Sequence, residues 1–192
     1  MAANFTRVKF VREGGPRYAG AVPDSLRFVA VAQTDPLAEP LLAELAVEYA
    51  QRYGGSEAGV SAWLRGHPAA DFAAPHGALL IGLLGGRPVT GGAFQRFDDE
   101  TAELKRIWTA SGYRQRGYAK ALLVELEAMI AGRGYRRIYL TTGDRQPEAE
   151  ALYESAGYSR LVEPLPAEGD IFPIAFEKMV SGQPETAEPF VG

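Results

Sequence analysis

The sequence predicts an α/β (α+β) fold, a mixed central β-sheet flanked by about four helices, on three observations. The runs ALLIGLLG, PVTGGAFQRF and TAELKRIWTA follow one another across the short turns GGRP and FDDE, the pattern of an antiparallel meander. The last run is followed by a long amphipathic segment and then by RRIYLTT, and a crossover of that length makes its two flanking strands parallel. A chain of 192 residues, 46% hydrophobic and 23% charged, is long enough for one domain with a proper core and short for two.

Taken in order, residues 1–23 end in GGPRYAGAVPD and read as an irregular arm that can add one edge strand. LRFVAVAQ, from Leu26, is a strand. Asp35 and Pro36 then occupy the N-cap and first positions of a helix whose apolar face is Leu37, Leu41, Leu42, Leu45 and Tyr49. A weaker helix near Glu57 to Arg65 carries Trp63, most simply a core residue. The meander follows, its Asp98, Asp99 and Glu100 marking a solvated hairpin turn. Ala119, Leu122, Leu123, Leu126, Met129 and Ile130 keep helical spacing until Gly132 and Gly134 stop it. After the strand RRIYLTT, Pro147 opens the helix PEAEALYESAG, and YSRLVEP with FPIAFEKMV closes the chain as a strand pair. The order is βααβββαβαββ in one domain over residues 24–180, with a flexible tail over 181–192 and no internal repeat.

A net charge of −4 gives no global reason to expect nucleic acid or an anionic membrane as partner, so any anion site must be local. The absence of cysteine excludes disulfides, thiolate metal ligands and a cysteine nucleophile. His67 and His76 flank a loop at a spacing that suits no helical metal pair; they read as loop residues and no metal is expected. The N-terminus lacks the apolar centre of a signal peptide and no apolar run approaches a bilayer's thickness, so the expectation is a soluble, cytoplasmic protein.

The stretch YRQRGYAKALL, residues 113–123, crowds Arg114 and Arg116 onto a helix start, where positive charge is unfavourable. An anion is the natural compensation. A strand running into a glycine-containing turn and a helix N-terminus points consecutive backbone N–H groups at one spot, Gly117 permits close approach, and the two arginines can close over a diphosphate. The segment has neither the lysine-containing phosphate loop of nucleoside triphosphatases nor the three-glycine dinucleotide fingerprint.

ELKRIWTASGYRQRGYAKALL, RRIYLTTGDRQPEAEALYESAGY and VTGGAFQRF together resemble, in order and spacing, the GNAT superfamily of acyl-CoA-dependent N-acyltransferases, over nearly all of residues 24–180. The resemblance implies that the fourth and fifth strands are parallel but splay apart, with acetyl-CoA wedged between them as an added strand. Its pantetheine would pair with the backbone of Ile107, Trp108 and Thr109. Its diphosphate would rest on N–H groups of Gln115, Arg116, Gly117, Tyr118, Ala119 and Lys120, with Arg114 beside them. Gln146 stands where the family usually has Asn, one methylene longer.

The resemblance also places Tyr153 at the family's frequent general acid for the departing thiol, the alternative being a packed core tyrosine. Glu103 matches a glutamate that serves many relatives as the base for the amine; strand alternation would set it on one face with Lys105, Ile107 and Thr109, where it can look into the cleft or pair with a neighbouring cation. The implied reaction is acetyl transfer to a primary amine of a small molecule or peptide in a ternary complex, the alternative being a non-catalytic acyl-CoA sensor. Acceptor choice would lie in residues 49–72 and 162–171, where Glu163, Glu168 and Asp170 favour a cationic amine. A homodimer through the last strands is left open.

Overall fold

The computed structural model describes residues 25–166 and 172–180. The arm over 1–23 and the tail over 181–192 lie outside the described residues, as do Glu168 and Asp170. Seven strands form one sheet: β1 (Arg27–Val31), β2 (Ala78–Leu84), β3 (Arg87–Arg96), β4 (Thr101–Thr109), β5 (Arg137–Thr142), β6 (Ser159–Arg160) and β7 (Ile174–Met179). Their spatial order is β1-β2-β3-β4-β5-β7-β6, antiparallel throughout except for β4 and β5. The helices are α1 (Glu39–Tyr53), α2 (Glu57–Gly66), α3 (Tyr118–Gly132) and α4 (Pro147–Ser155). The expected element order and the parallel pair are present. The closing pair differs in that β7 inserts between β5 and a two-residue β6.

Local chemistry starts these elements as expected. Asp35 Oδ1 accepts from the Leu37 N–H at 2.8 Å, capping the short 3-10 turn that leads into α1. Asp98 Oδ1 accepts from the N–H groups of Glu100 and Thr101 at 2.9 and 2.7 Å, closing the β3–β4 hairpin. α1 and α2 cover one face of the sheet, where Leu41, Leu42 and Leu45 pack on Leu79, Ile81 and Trp108; α3 and α4 cover the other, where Leu122, Leu126 and Ile130 pack on Phe94, Ile138 and Phe176.

One irregularity decides how β4 meets these layers. The register passes from Gly91↔Trp108 to Ala93↔Lys105, so two residues, Arg106 and Ile107, face Gly92 alone, and Arg106 has φ 60°. This is a β-bulge, which leaves Lys105 and Arg106 on the same side of the strand. The expected alternation through Glu103, Lys105, Ile107 and Thr109 is therefore corrected. Glu103 and Lys105 lie on the α1–α2 side, whereas Ile107 packs with Leu104 in the α3–α4 core. Trp63 is corrected as well: it is 48% exposed, and the buried residue of α2 is its neighbour Leu64.

Gly92 makes room for the displaced side chain, since a Cβ there would lie 2.6 Å from Ile107 Cδ1 and 3.2 Å from Leu122 Cδ2. Gly92→Ala is expected to destabilise the protein by about 1–3 kcal/mol in denaturant titration, through overpacking at the bulge. Buried phenols give the fold an alkaline limit. Burial pushes Tyr49 up to about 12 and raises Tyr153 and Tyr158 further above the ordinary value of 10.0. Unfolded tyrosines lose protons first, so stability is intact below about pH 10 and falls as pH rises toward the native values. Chemical denaturation at stepped pH should show the midpoint declining over that window.

Candidate active site

The β4–β5 ladder is only three residues long, Thr101↔Arg137, Ala102↔Ile138 and Glu103↔Tyr139. Beyond it each strand follows its other neighbour: β5 keeps pairing with β7 through Thr142↔Ile174, and β4 keeps pairing with β3 through Thr109↔Thr90. The two strands diverge and a cleft of about 770 Å³ opens between them. The cleft runs through the sheet, so it meets α3 and α4 on one face and α1 and α2 on the other. Ile107, Trp108 and Thr109 line it from β4, where sequence reasoning put the pantetheine partners. The Trp108 side chain is anchored elsewhere, its Nε1–H donating to Glu44 Oε2 at 3.0 Å.

At the α3 end, Gln115 and Gly117 both take positive φ, 59° and 82°. The helix has no side-chain cap, and among the described residues none of the N–H groups from Gln115 to Lys120 donates to a backbone carbonyl. These are the orphan donors of a helix start, and Gln115, Gly117, Tyr118, Ala119 and Lys120 line the cleft. Arg114 lines it too, with Nη2 donating to Glu48 Oε2 at 2.7 Å and Nε to the Thr109 carbonyl at 3.2 Å. Arg116 stands outside the lining, its guanidinium 5.4 Å from the centre of the Tyr113 ring.

Tyr153 enters from α4. Its ring is wedged 5.6 Å from Tyr158 and 5.7 Å from Phe176, yet the residue lines the cleft, and no described protein group accepts from its hydroxyl. Burial holds the phenol in its protonated form. Gln146, at the N-cap of α4, also lines the cleft; its Oε1 accepts from Thr142 Oγ1 at 2.9 Å, which leaves the NH₂ end to donate.

On the α1–α2 face the cleft is walled by Tyr49, Trp63, His67 and Phe72, with the cations Lys105 and Arg106. Glu103 is only 7% exposed and lies off the lining. One oxygen pairs with Lys105 Nζ at 2.7 Å and the other accepts from Gln95 Nε2 at 3.0 Å. A carboxylate can only accept, so the Gln95 amide must turn its nitrogen to Glu103 and its oxygen to His67 Nε2, 2.8 Å away. His67 therefore carries its proton on Nε2, which also lies 3.2 Å from Asp71 Oδ2, and its acceptor nitrogen is Nδ1. Sequence reasoning left His67 as a loop residue; the structure brings it to the cleft, stacked 4.7 Å from Phe72. His67 and Gln95 sit 28 residues apart, so no local spacing could have joined them.

A model of the acetyltransferase (GNAT) family matches residues 41–158. Human N-acetyltransferase 8 is 33% identical over 86 residues, which cover 42% of this chain and 34% of the human protein, so the match spans about a third of that relative. Among solved structures, a GNAT-family acetyltransferase from Staphylococcus aureus superposes with a TM-score of 0.65 at 15% identity, covering 80% of this chain and 99% of that one. The PaiA N-acetyltransferase of Thermoplasma acidophilum in complex with coenzyme A gives 0.62 at 17%, covering 81% and 99%. A GNAT-family acetyltransferase from Elizabethkingia anophelis with acetyl-CoA bound gives 0.57 at 16%, covering 82% and 99%. These structures share the fold, and with the family model matching residues 41–158 the chain belongs to the acetyltransferase (GNAT) family.

Proposed function

We propose that the protein is an N-acetyltransferase that moves an acetyl group from acetyl-CoA to a primary amine by direct transfer in a ternary complex. The observation that carries this reading is the cleft itself, which has an uncapped helix start and a free tyrosine hydroxyl at one face and apolar walls with a histidine at the other. Two reactants approaching from opposite faces can meet only where β4 and β5 part, and holding them there removes most of the bimolecular entropy penalty.

The donor fits the residues on the α3–α4 side. The N–H groups from Gln115 to Lys120 hold its diphosphate, aided by the helix dipole and by Arg114 once that side chain leaves Glu48. Ile107, Trp108 and Thr109 offer the unpaired edge of β4 to its amides. Acetyl-CoA supplies the acyl group already activated as a thioester. Transfer forms a C–N bond and breaks a C–S bond; the ammonium gives up two protons, one to solvent and one to the departing thiolate.

Tyr153, which lines the cleft with its hydroxyl unbonded among the described residues, hydrogen-bonds that thiolate in this reading. Because its phenol is held well above 10.0, full transfer to a thiol near about 8.5 is uphill, and its contribution is a charge-assisted hydrogen bond more than a free proton. On the acceptor side, Glu103 acts from behind the wall. It holds Lys105 and, through Gln95, fixes the His67 tautomer, leaving Nδ1 as the ring's proton acceptor. The base is thereby assigned to His67, with Glu103 as its positioning residue.

Isothermal titration of acetyl-CoA should give binding weakened about 10-fold or more by Arg114→Glu and less by Arg116→Glu, which sits outside the lining. Tyr153→Phe should retain binding while amine-dependent thiol release falls about 10²-fold or more in kcat. The wild-type rate should show no loss from tyrosine ionisation up to about pH 10, given the upward shift. His67→Gln and Glu103→Gln should each lower kcat/KM by about 10–100-fold without weakening acetyl-CoA binding. Binding without turnover on any amine would instead favour an acyl-CoA-binding module.

A further inference from the structure

Arg106 is the residue that the bulge in β4 inserts, and it is spent in an unusual way. Its side chain is half-buried on the α1–α2 side and lines the cleft. Nη1 donates to Gln33 Oε1 at 2.8 Å, Nη2 donates to the Leu64 carbonyl, and the guanidinium lies 4.5 Å from the centre of the Phe72 ring. Both acceptors are neutral. Three of the five guanidinium hydrogens, that on Nε and one on each terminal nitrogen, have no acceptor among the described residues.

The neighbouring cations are treated differently. Lys105 is paired with Glu103, Arg114 with Glu48, and Arg65 with Glu39. Among the described residues Arg106 alone of the cations on this wall has no carboxylate within ion-pair distance. Burial lowers the Arg106 guanidinium to about 10, which still leaves it charged at neutral pH. A half-buried guanidinium without an anion is unfavourable unless an anion arrives, and a planar fork with free hydrogens matches a carboxylate. The positive φ of 60° at this non-glycine position is the kind of backbone strain that persists where a side chain must be aimed.

We infer that Arg106 binds a carboxylate of the acceptor, so that the amine acetylated in this cleft belongs to an amino acid. The surrounding wall defines its side chain: Leu45, Trp63, Leu64 and Phe72 are apolar, and Trp63 is exposed at 48% on the cleft rather than packed. The substrate class is an apolar α-amino acid, its carboxylate on Arg106 and its side chain against Trp63 and Phe72. This inference rests on the acetyl-transfer reading of the same cleft and refines its acceptor.

The test compares L-phenylalanine with L-phenylalaninamide, which keeps the amine and ring and removes the carboxylate charge. Calorimetric binding of each to the protein saturated with CoA should favour the amino acid by roughly 10–100-fold, the size of a hydrogen bond to a charged group. The same preference should appear in kcat/KM with acetyl-CoA. Arg106→Gln should collapse the preference to near unity while acetyl-CoA affinity is unchanged. Arg106→Lys should retain part of it, a rescue that a purely structural tie to α2 would not produce. Equal affinity of the wild-type protein for amino acid and amide, or a preference that survives Arg106→Gln, overturns the inference even if amines are acetylated. Loss of acetyl-CoA binding in the wild-type protein, measured separately, would instead remove the transferase reading. The wild-type comparison decides the question without any variant having to fold.

Discussion

The structure depends on the early end of the β4–β5 ladder. A parallel pair normally propagates as far as its strands allow, because each further residue satisfies backbone donors and acceptors. Here the pair stops after Glu103↔Tyr139, since β5 is drawn along β7 and β4 along β3. The bulge at Arg106 falls three residues past that point and increases the local twist, so the divergence and the irregularity reinforce one another. The edge left unpaired is polar backbone inside a domain, a state that needs a partner. An extended ligand rich in amides is the partner the geometry favours.

The electrostatics follow the same division. Near the α3 end of the cleft Arg114 is paired with Glu48, and Arg52 with Glu48 and Glu148. Most of these contacts are partly exposed, so each is worth little and is readily exchanged for a phosphate. At the acceptor end the pairs sit deeper. Glu103 is the most enclosed carboxylate of the wall, and its bonds to Lys105 and Gln95 make one connected line to His67. One end of the cleft is thus built from replaceable surface pairs and the other from a fixed network.

Much of this was legible from local sequence. The helix start at Gly117 follows from R-Q-R-G-Y-A, because a cradle needs a strand, a permissive glycine and a helix in immediate succession. The parallel pair follows from crossover length, whereas Tyr153 and Gln146 are picked out only through the resemblance to the GNAT superfamily; both line the cleft. What sequence could not give depends on register and on contacts between distant segments. A period of two assumes an unbroken strand, and the single residue inserted at Arg106 moved Ile107 to the opposite face from Glu103. Trp63 looked like core by hydrophobicity alone, yet on α2 the buried position is Leu64. The tautomer of His67 is read through Gln95 and Glu103, on two different strands. The Gly-Gly pair in VTGGAF was a visible signal: a strand interior with adjacent glycines invites a bulge or a close approach.

One residue joins the two halves of the site. Gln33, only 7% exposed, accepts from Arg106 and donates to the carbonyls of Arg65 and His67, so the C-terminus of α2 is tied to the bulge of β4. α2 supplies Trp63 and Leu64 to one wall of the cleft, and the bulge sets the course of the β4 edge that lines it. A change in the backbone at Arg106 therefore moves both at once. Anchoring α2 through a guanidinium rather than an apolar contact keeps a charge on the cleft wall, and the acceptor contact proposed for it would use the hydrogens that the two ties leave over.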